Sequence, residues 1–314
     1  MSVAELPHER TTSQPSIEGV FAPVPTPFQE DGSLDLKALG RFVRATIVRG
    51  VHGVALLGST GEAPLLSDEE SLKVLEAARR HVPADHTMIA GIGRQSTRAT
   101  VTAARGAAAA GADVALVLPP FYYRGVTSEE ALVEHFRAVA AASPLPLIVY
   151  NMPACTGVDL SAEALVRLAA VRGVVGVKDS GGNLAKLAAV RAATPPSFSV
   201  LAGSAGFFVP ALSVGATGGI LALANLAPEE CVAMWRQARD GAWDEARALQ
   251  ARLVPVNDAV TRGFGVPGLK AALAMRGWDV GKPRPPLLPL GDDACDRLRE
   301  ILANAGLTAE EEAR

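Results

Sequence analysis

The stretch Val174-Val175-Gly176-Val177-Lys178, followed by Asp179-Ser180-Gly181-Gly182, decides how the rest of the chain reads. An unbroken run of small and β-branched residues predicts a buried strand, and the glycines after it predict a turn. Lys178 therefore sits at the end of a core strand, where leaving water is costly. Desolvation there favours the neutral amine, the form that attacks a carbonyl. A lysine that merely snorkels from a strand end is the other reading of that position.

Outward from this stretch, short apolar runs alternate with longer alanine-rich, amphipathic ones. Strands are predicted at 19–22, 53–57, 88–91, 114–118, 147–150, 174–178, 199–202 and 218–221. Helices are predicted at 36–49, 68–81, 97–110, 128–142, 162–170, 184–193 and 207–214. An eighth begins near Pro228, where Pro-Glu-Glu suits a helix start. Eight βα units in about two hundred residues predict an α/β chain folded as a closed (β/α)8 TIM barrel rather than an open doubly wound sheet. Gly91-Ile92-Gly93 lacks the third glycine and acidic partner of a dinucleotide fingerprint. Helical signal continues at 243–254, 268–275 and 292–303, with a proline-rich connector at 283–289. The expected division is a mobile lead-in at 1–16, the barrel at 17–227, and the last barrel helix with a C-terminal helical extension packed on the barrel at 228–314.

Hydrophobic residues make up 49% of the 314 and charged residues 20%, which excludes global disorder. The net charge of -3 and the lack of a basic stripe give no basis for a nucleic-acid partner. Cys155, Cys231 and Cys295 are far apart, no CxxC pair occurs, and the five histidines do not cluster. A disulfide framework and a zinc site are thus not expected, and a reducing, cytoplasmic setting is. Residues 1–16 lack the apolar core of a secretory signal, and Gly or Pro breaks every apolar run before membrane length.

In such a barrel, chemistry collects where strands end. After strand two, Gly58-Ser59-Thr60-Gly61-Glu62 offers backbone N–H groups and two hydroxyls, a cradle for a carboxylate. An ordinary loop, with Ser67 capping the next helix, is the alternative. Strand four leads to Pro119-Pro120-Phe121-Tyr122-Tyr123-Arg124, and strand five ends at Tyr150-Asn151-Met152-Pro153-Ala154-Cys155. Strand seven ends at Ala202-Gly203-Ser204-Ala205, and strand eight leads to Ile220 and Asn225. A phenol, a hydroxyl and a lysine on neighbouring strands suit Schiff-base chemistry. The lysine condenses with a ketone to a protonated imine, an electron sink, and the phenol moves protons.

The motifs Gly58-Ser59-Thr60-Gly61-Glu62, Tyr150-Asn151-Met152-Pro153 and Gly176-Val177-Lys178-Asp179, in this order and spacing, resemble those of the dihydrodipicolinate synthase / N-acetylneuraminate lyase family of class I pyruvate aldolases. The likeness runs from Gly19 to Leu290. It implies a TIM barrel with a C-terminal helical region, a homotetramer built as a dimer of dimers, and pyruvate carried on the lysine without cofactor or metal. It makes Lys178 the Schiff-base former and Tyr150 the proton shuttle. Ser59 and Thr60 would hold the pyruvyl carboxylate, with Ser59 also relaying protons. Ile220 and Gly203 would border the substrate. Tyr122, or else Tyr123, would reach into a neighbouring subunit's site.

Departures from the family pattern bear on substrate. Synthases that condense pyruvate with aspartate semialdehyde carry an arginine where this chain has Cys155, and cysteine cannot grip a carboxylate in bidentate fashion. Gly203-Ser204-Ala205-Gly206 lacks the acidic pair with which sialic-acid lyases hold a polyol tail. Closer resemblance is to 4-hydroxy-2-oxoglutarate aldolase, through 122–125, 178–182, 201–207, 222–225 and 259–270, although Thr60 stands where that enzyme has asparagine. Ser180 would then orient substrate, a helix cap being its other reading. The implied activity is cleavage of 4-hydroxy-2-oxoglutarate, or a related 2-keto-4-hydroxy acid, to pyruvate and an aldehyde such as glyoxylate. The alternatives are 4-hydroxy-tetrahydrodipicolinate synthase, a sugar-acid aldolase or dehydratase, and a silent pyruvate-binding barrel. In the C-terminal region, Trp243, Leu249 and Leu253 read as packing positions rather than a ligand box. Cys155 reads as a small apolar wall residue.

Overall fold

The computed structural model describes residues 17–307 of the chain, so the lead-in expected at 1–16 lies outside the described residues. Among these, eight parallel strands close into a barrel in sequence order, with β1 paired to both β2 and β8. They are β1 Gly19–Pro23, β2 Gly53–Leu56, β3 Thr87–Gly91, β4 Val114–Val117, β5 Leu147–Asn151, β6 Val174–Asp179, β7 Ser199–Ala202 and β8 Gly218–Ile220. The intervening helices are α1 Leu36–Val48, α2 Asp68–Arg79, α3 Thr97–Ala109, α4 Glu129–Ala142, the short α5 Pro153–Thr156, α6 Ala162–Ala169, α7 Leu184–Ala193 and α8 Phe208–Ser213. Side-chain oxygens of Asp35, Ser67, Ser96, Ser128, Ser161 and Asn183 cap α1, α2, α3, α4, α6 and α7. Each accepts from a first-turn N–H that the helix itself leaves unpaired. The cap of α7 is therefore Asn183, not Ser180.

Every strand is buried on both faces, because side chains alternate between two apolar layers. Phe21, Ala55, Ile89, Leu116, Ile148, Tyr150, Leu201 and Ile220 fill the barrel interior. Val20, Val54, Met88, Val117, Val149 and Val200 face the helices. The alternation breaks once. Val175 faces inward, yet so does not Val177, two residues on, which packs outward. The β5–β6 register steps by one residue between Leu147 and Ile148, so Leu147 pairs Val174 but Ile148 pairs Gly176. A one-residue step exchanges the faces of everything after it. It aligns Lys178 with Tyr150 on one side and Leu201 on the other, both inward-facing. Gly176 is needed at the step, since a Cβ there would lie 2.6 Å from the Ser199 carbonyl oxygen.

Beyond the barrel follow α9 Pro228–Arg239, α10 Trp243–Asp258, α11 Gly265–Met275 and α12 Asp292–Asn304. A π-helical turn, Ala259–Gly263, joins α10 to α11. These elements pack on the barrel through Met234, Leu253, Val256, Leu269 and Leu273, all buried in the outer layer. Among the described residues, no helix is long and apolar enough to cross a membrane.

Candidate active site

Lys178 and Tyr150 end adjacent strands at the C-terminal mouth of the barrel. They are 5% and 4% exposed, and the Lys178 Nζ lies 4.1 Å from the centre of the Tyr150 ring. The amine is thus neither open to bulk solvent nor walled off from the phenol. Both side chains face a cavity of about 530 Å³ that is also lined by Ser59, Thr60, Ser180, Gly203 and Ile220. The structure brings together every residue expected around the lysine except Tyr122. That tyrosine and Tyr123 stand 74% and 69% exposed at the tip of the β4–α4 loop, with ring centres 5.1 Å apart. Gln95 holds this tip, its Oε1 accepting from the Phe121 and Tyr122 amides at 3.0 and 2.9 Å.

Two buried polar networks hold the mouth in shape. Asp179, next to the lysine, is fully buried. Its carboxylate accepts from Asn151 Nδ2 at 2.7 Å and from the Gly181 amide at 2.8 Å, and pairs with Lys186 Nζ at 3.0 Å. Lys186 also bonds Asp159, which accepts from Asn151 as well. Burial pulls the Lys186 ammonium down, but Asp159 and Asp179 outweigh it and leave the group above the usual lysine value. The ends of β5 and β6, and the turn after Lys178, are thereby tied to one point.

The second network fixes the 58–62 loop. Leu57 and Glu62 adopt left-handed backbone, φ 58° and 55°, which costs on the order of 1–3 kcal/mol each for a non-glycine residue. Thr26 Oγ1 donates to the Gly61 carbonyl at 2.6 Å. The buried Glu62 carboxylate pairs with Lys270 of α11 at 2.7 Å and accepts from the Arg284 amide at 2.8 Å. Lys270 Nζ also donates to the Thr26 and Lys282 carbonyls. Burial holds this ammonium below the usual lysine value, against the pull of Glu62. Arg284 in turn grips Glu70 of α2 with both terminal nitrogens, at 2.8 and 2.7 Å. The sequence reading assigned no role to Glu62, Lys270, Asp159 or Lys186. The motifs contain Glu62 and Asp179; the partners of Glu62 lie far along the chain, while Lys186 reaches Asp179 from the first turn of the following helix.

Ser180 Oγ is buried at the cavity and makes no hydrogen bond. Gly203 leaves room for it, since a Cβ at that position would sit 1.9 Å from Ser180 Oγ. Cys155 also lines the cavity. The C-terminal region is more than packing: Val260, Thr261, Arg262, Gly265, Val266 and Leu269 form one side of the cavity. This corrects the purely structural reading of that region. Leu253 does pack in the core and Trp243 and Leu249 against it, while the residues that reach the site come from the π turn and the start of α11. No group of three or more potential metal ligands occurs among the described residues.

A family model for the dihydrodipicolinate synthetase family matches residues 16–305. An uncharacterized DapA-like lyase from Halobacterium salinarum is 42% identical over 291 residues, 93% of this chain and 95% of that protein. A 4-hydroxy-tetrahydrodipicolinate synthase from Parasynechococcus marenigrum is 38% identical over 279 residues, 88% of this chain and 92% of that one. Among solved structures, a chloride-inhibited dihydrodipicolinate synthase from Acinetobacter baumannii, complexed with pyruvate, superimposes with a TM-score of 0.88 at 33% identity. The match covers 93% of this chain and 99% of that one.

Proposed function

Because this chain belongs to the dihydrodipicolinate synthetase family and is a pyruvate-dependent carbon–carbon lyase of the class I type, we propose that it cleaves 4-hydroxy-2-oxoglutarate, or a related 2-keto-4-hydroxy acid, to pyruvate and an aldehyde such as glyoxylate. The observation that carries the chemistry is Lys178 Nζ lying over the Tyr150 ring in a shared cavity beside Ser59 and Thr60. In this reading the Lys178 amine attacks the C2 ketone, and Tyr150 gives the proton with which water leaves, so that a protonated imine and a phenolate form. Ser59 and Thr60 hold the C1 carboxylate. Tyr150 takes the proton from the C4 hydroxyl as the C3–C4 bond breaks, and the aldehyde leaves. The electron pair stays on the pyruvyl fragment as an enamine, with the imine nitrogen as sink. Protonation at C3, with Ser59 as relay, and hydrolysis release pyruvate and regenerate the amine. Ser180, whose Oγ is buried at the cavity without a hydrogen-bond partner, supplies a hydroxyl to the substrate.

Support for this substrate choice over condensation with aspartate semialdehyde comes from Cys155 at the cavity wall, where a synthase carries arginine. The synthase activity is the second reading, favoured by the names of relatives at 38% identity. The exposed Tyr122–Tyr123 tip suits a subunit contact, with Tyr122 serving a neighbour's site in a homotetramer. A panel of 2-keto-4-hydroxy acids, scored by pyruvate release for wild type and Lys178→Ala, tests the proposal. Hydroxyoxoglutarate should turn over fastest and the variant should release none. Faster consumption of pyruvate with aspartate semialdehyde would hand the assignment to the synthase reading.

A further inference from the structure

Of the described residues that line the Lys178 cavity, only Lys178 and Arg262 carry a charge. Lys178 is buried deep in the mouth, whereas the Arg262 side chain is 81% exposed at its rim. Its nearest anionic partner among the described residues is loose, with Asp258 Oδ1 at 3.8 Å from Nη2. That distance is beyond a hydrogen bond, so the planar donor fork remains available to a second carboxylate. The backbone places it deliberately. Residues 259–263 form a π-helical turn, a geometry that costs regular helical bonding and recurs at functional sites. Thr261 Oγ1 bonds the Asn257 carbonyl at 2.6 Å, and the fully buried Asn257 is itself bonded to Ser204 after β7. The turn is thus fixed to the barrel mouth at the residue next to Arg262.

We infer that Arg262 binds the distal carboxylate of a dicarboxylic 2-oxo acid whose ketone faces Lys178, and so determines the specificity of the site. This deepens the aldolase reading and rests on it for the identity of the substrate. It assigns to the C-terminal π turn the anion recognition that Cys155 cannot perform.

Calorimetric titration of the full chain with 2-oxoglutarate and with 2-oxopentanoate isolates the distal charge, since neither ligand carries the C4 hydroxyl needed for cleavage. Wild type should bind 2-oxoglutarate about tenfold or more tightly than 2-oxopentanoate, the scale of a charge-assisted hydrogen bond. Arg262→Gln should erase that preference by weakening 2-oxoglutarate alone, and Arg262→Lys should keep part of it. A merely structural role would shift both ligands together. Equal shifts, no shift, or no preference in wild type overturns the inference. Pyruvate release from hydroxyoxoglutarate, measured on the same preparations, separates the two ideas. Cleavage without an Arg262-dependent preference removes this inference alone, and the preference without cleavage removes the aldolase reading alone.

Discussion

Replacing Lys270 with methionine tests how the carboxylate cradle is held. The Lys270 and Glu62 side chains are 2% and 0% exposed and 2.7 Å apart. Methionine keeps most of the volume and removes the charge, leaving Glu62 with the Arg284 amide at 2.8 Å as its remaining donor in the cradle. Removing one member of a buried pair costs about 3–5 kcal/mol, because the other charge stays desolvated. At about 2–4 °C per kcal/mol, the apparent Tm should fall on the order of 6–20 °C. Changing Glu62→Gln as well removes the stranded charge, so the double variant should recover most of the loss. Thermal unfolding followed by circular dichroism at one fixed scan rate reads all four proteins. Because Glu62 follows Thr60 by two residues, the single variant should also raise KM for the keto acid. If Lys270→Met melts within about 2 °C of wild type, or the two single effects simply add in the double variant, the pair does not brace the loop.

Tyr150→Phe should lower the rate of pyruvate release by about 10²–10⁴, the range for losing a general acid–base group, with Tm little changed. Steady-state kinetics beside a melting curve check it. Glu70 should reveal itself through pH. The hydrogen bonds from Arg284 hold its carboxyl down, against burial, at about 2, from an ordinary value of 4.5. A depressed acid stabilises the folded state above its unfolded value and loses that contribution as pH falls through the folded one. The Tm gap between wild type and Glu70→Gln should therefore be full above pH 4.5 and close toward pH 2. A gap independent of pH across that window would contradict the Arg284–Glu70 assignment.

The barrel was legible because its two kinds of segment differ so plainly. The strand at 199–202 and the helix at 184–193 match the structure end to end, and other barrel boundaries move by a residue or two, whereas the helices expected at 243–254 and 268–275 run to 258 and from 265. The site was legible where it depends on strand ends, as with Lys178, Tyr150 and Ser59. What was hidden depends on contacts between distant parts of the chain. Strict alternation along β6 puts Val175 and Val177 on one face and Lys178 on the other. Only the register step against β5 turns the lysine inward, and it falls at Gly176, where no Cβ fits against the Ser199 carbonyl. The π turn is equally invisible to periodicity: Thr261 and Arg262 fall between the helices expected at 243–254 and 268–275, in a stretch that carries the resemblance but shows no site role of its own. From the sequence Ser180 reads as either cap or ligand, and the structure gives the cap to Asn183.

The central claim is that the Lys178 amine forms a covalent imine with pyruvate. Incubating the full chain with pyruvate and borohydride, then mapping the reduced adduct by mass spectrometry, tests it most directly. The account predicts a single pyruvyl adduct on the peptide containing Lys178, and none on Lys178→Ala. An unmodified Lys178, or an adduct carried elsewhere in the chain, would contradict it.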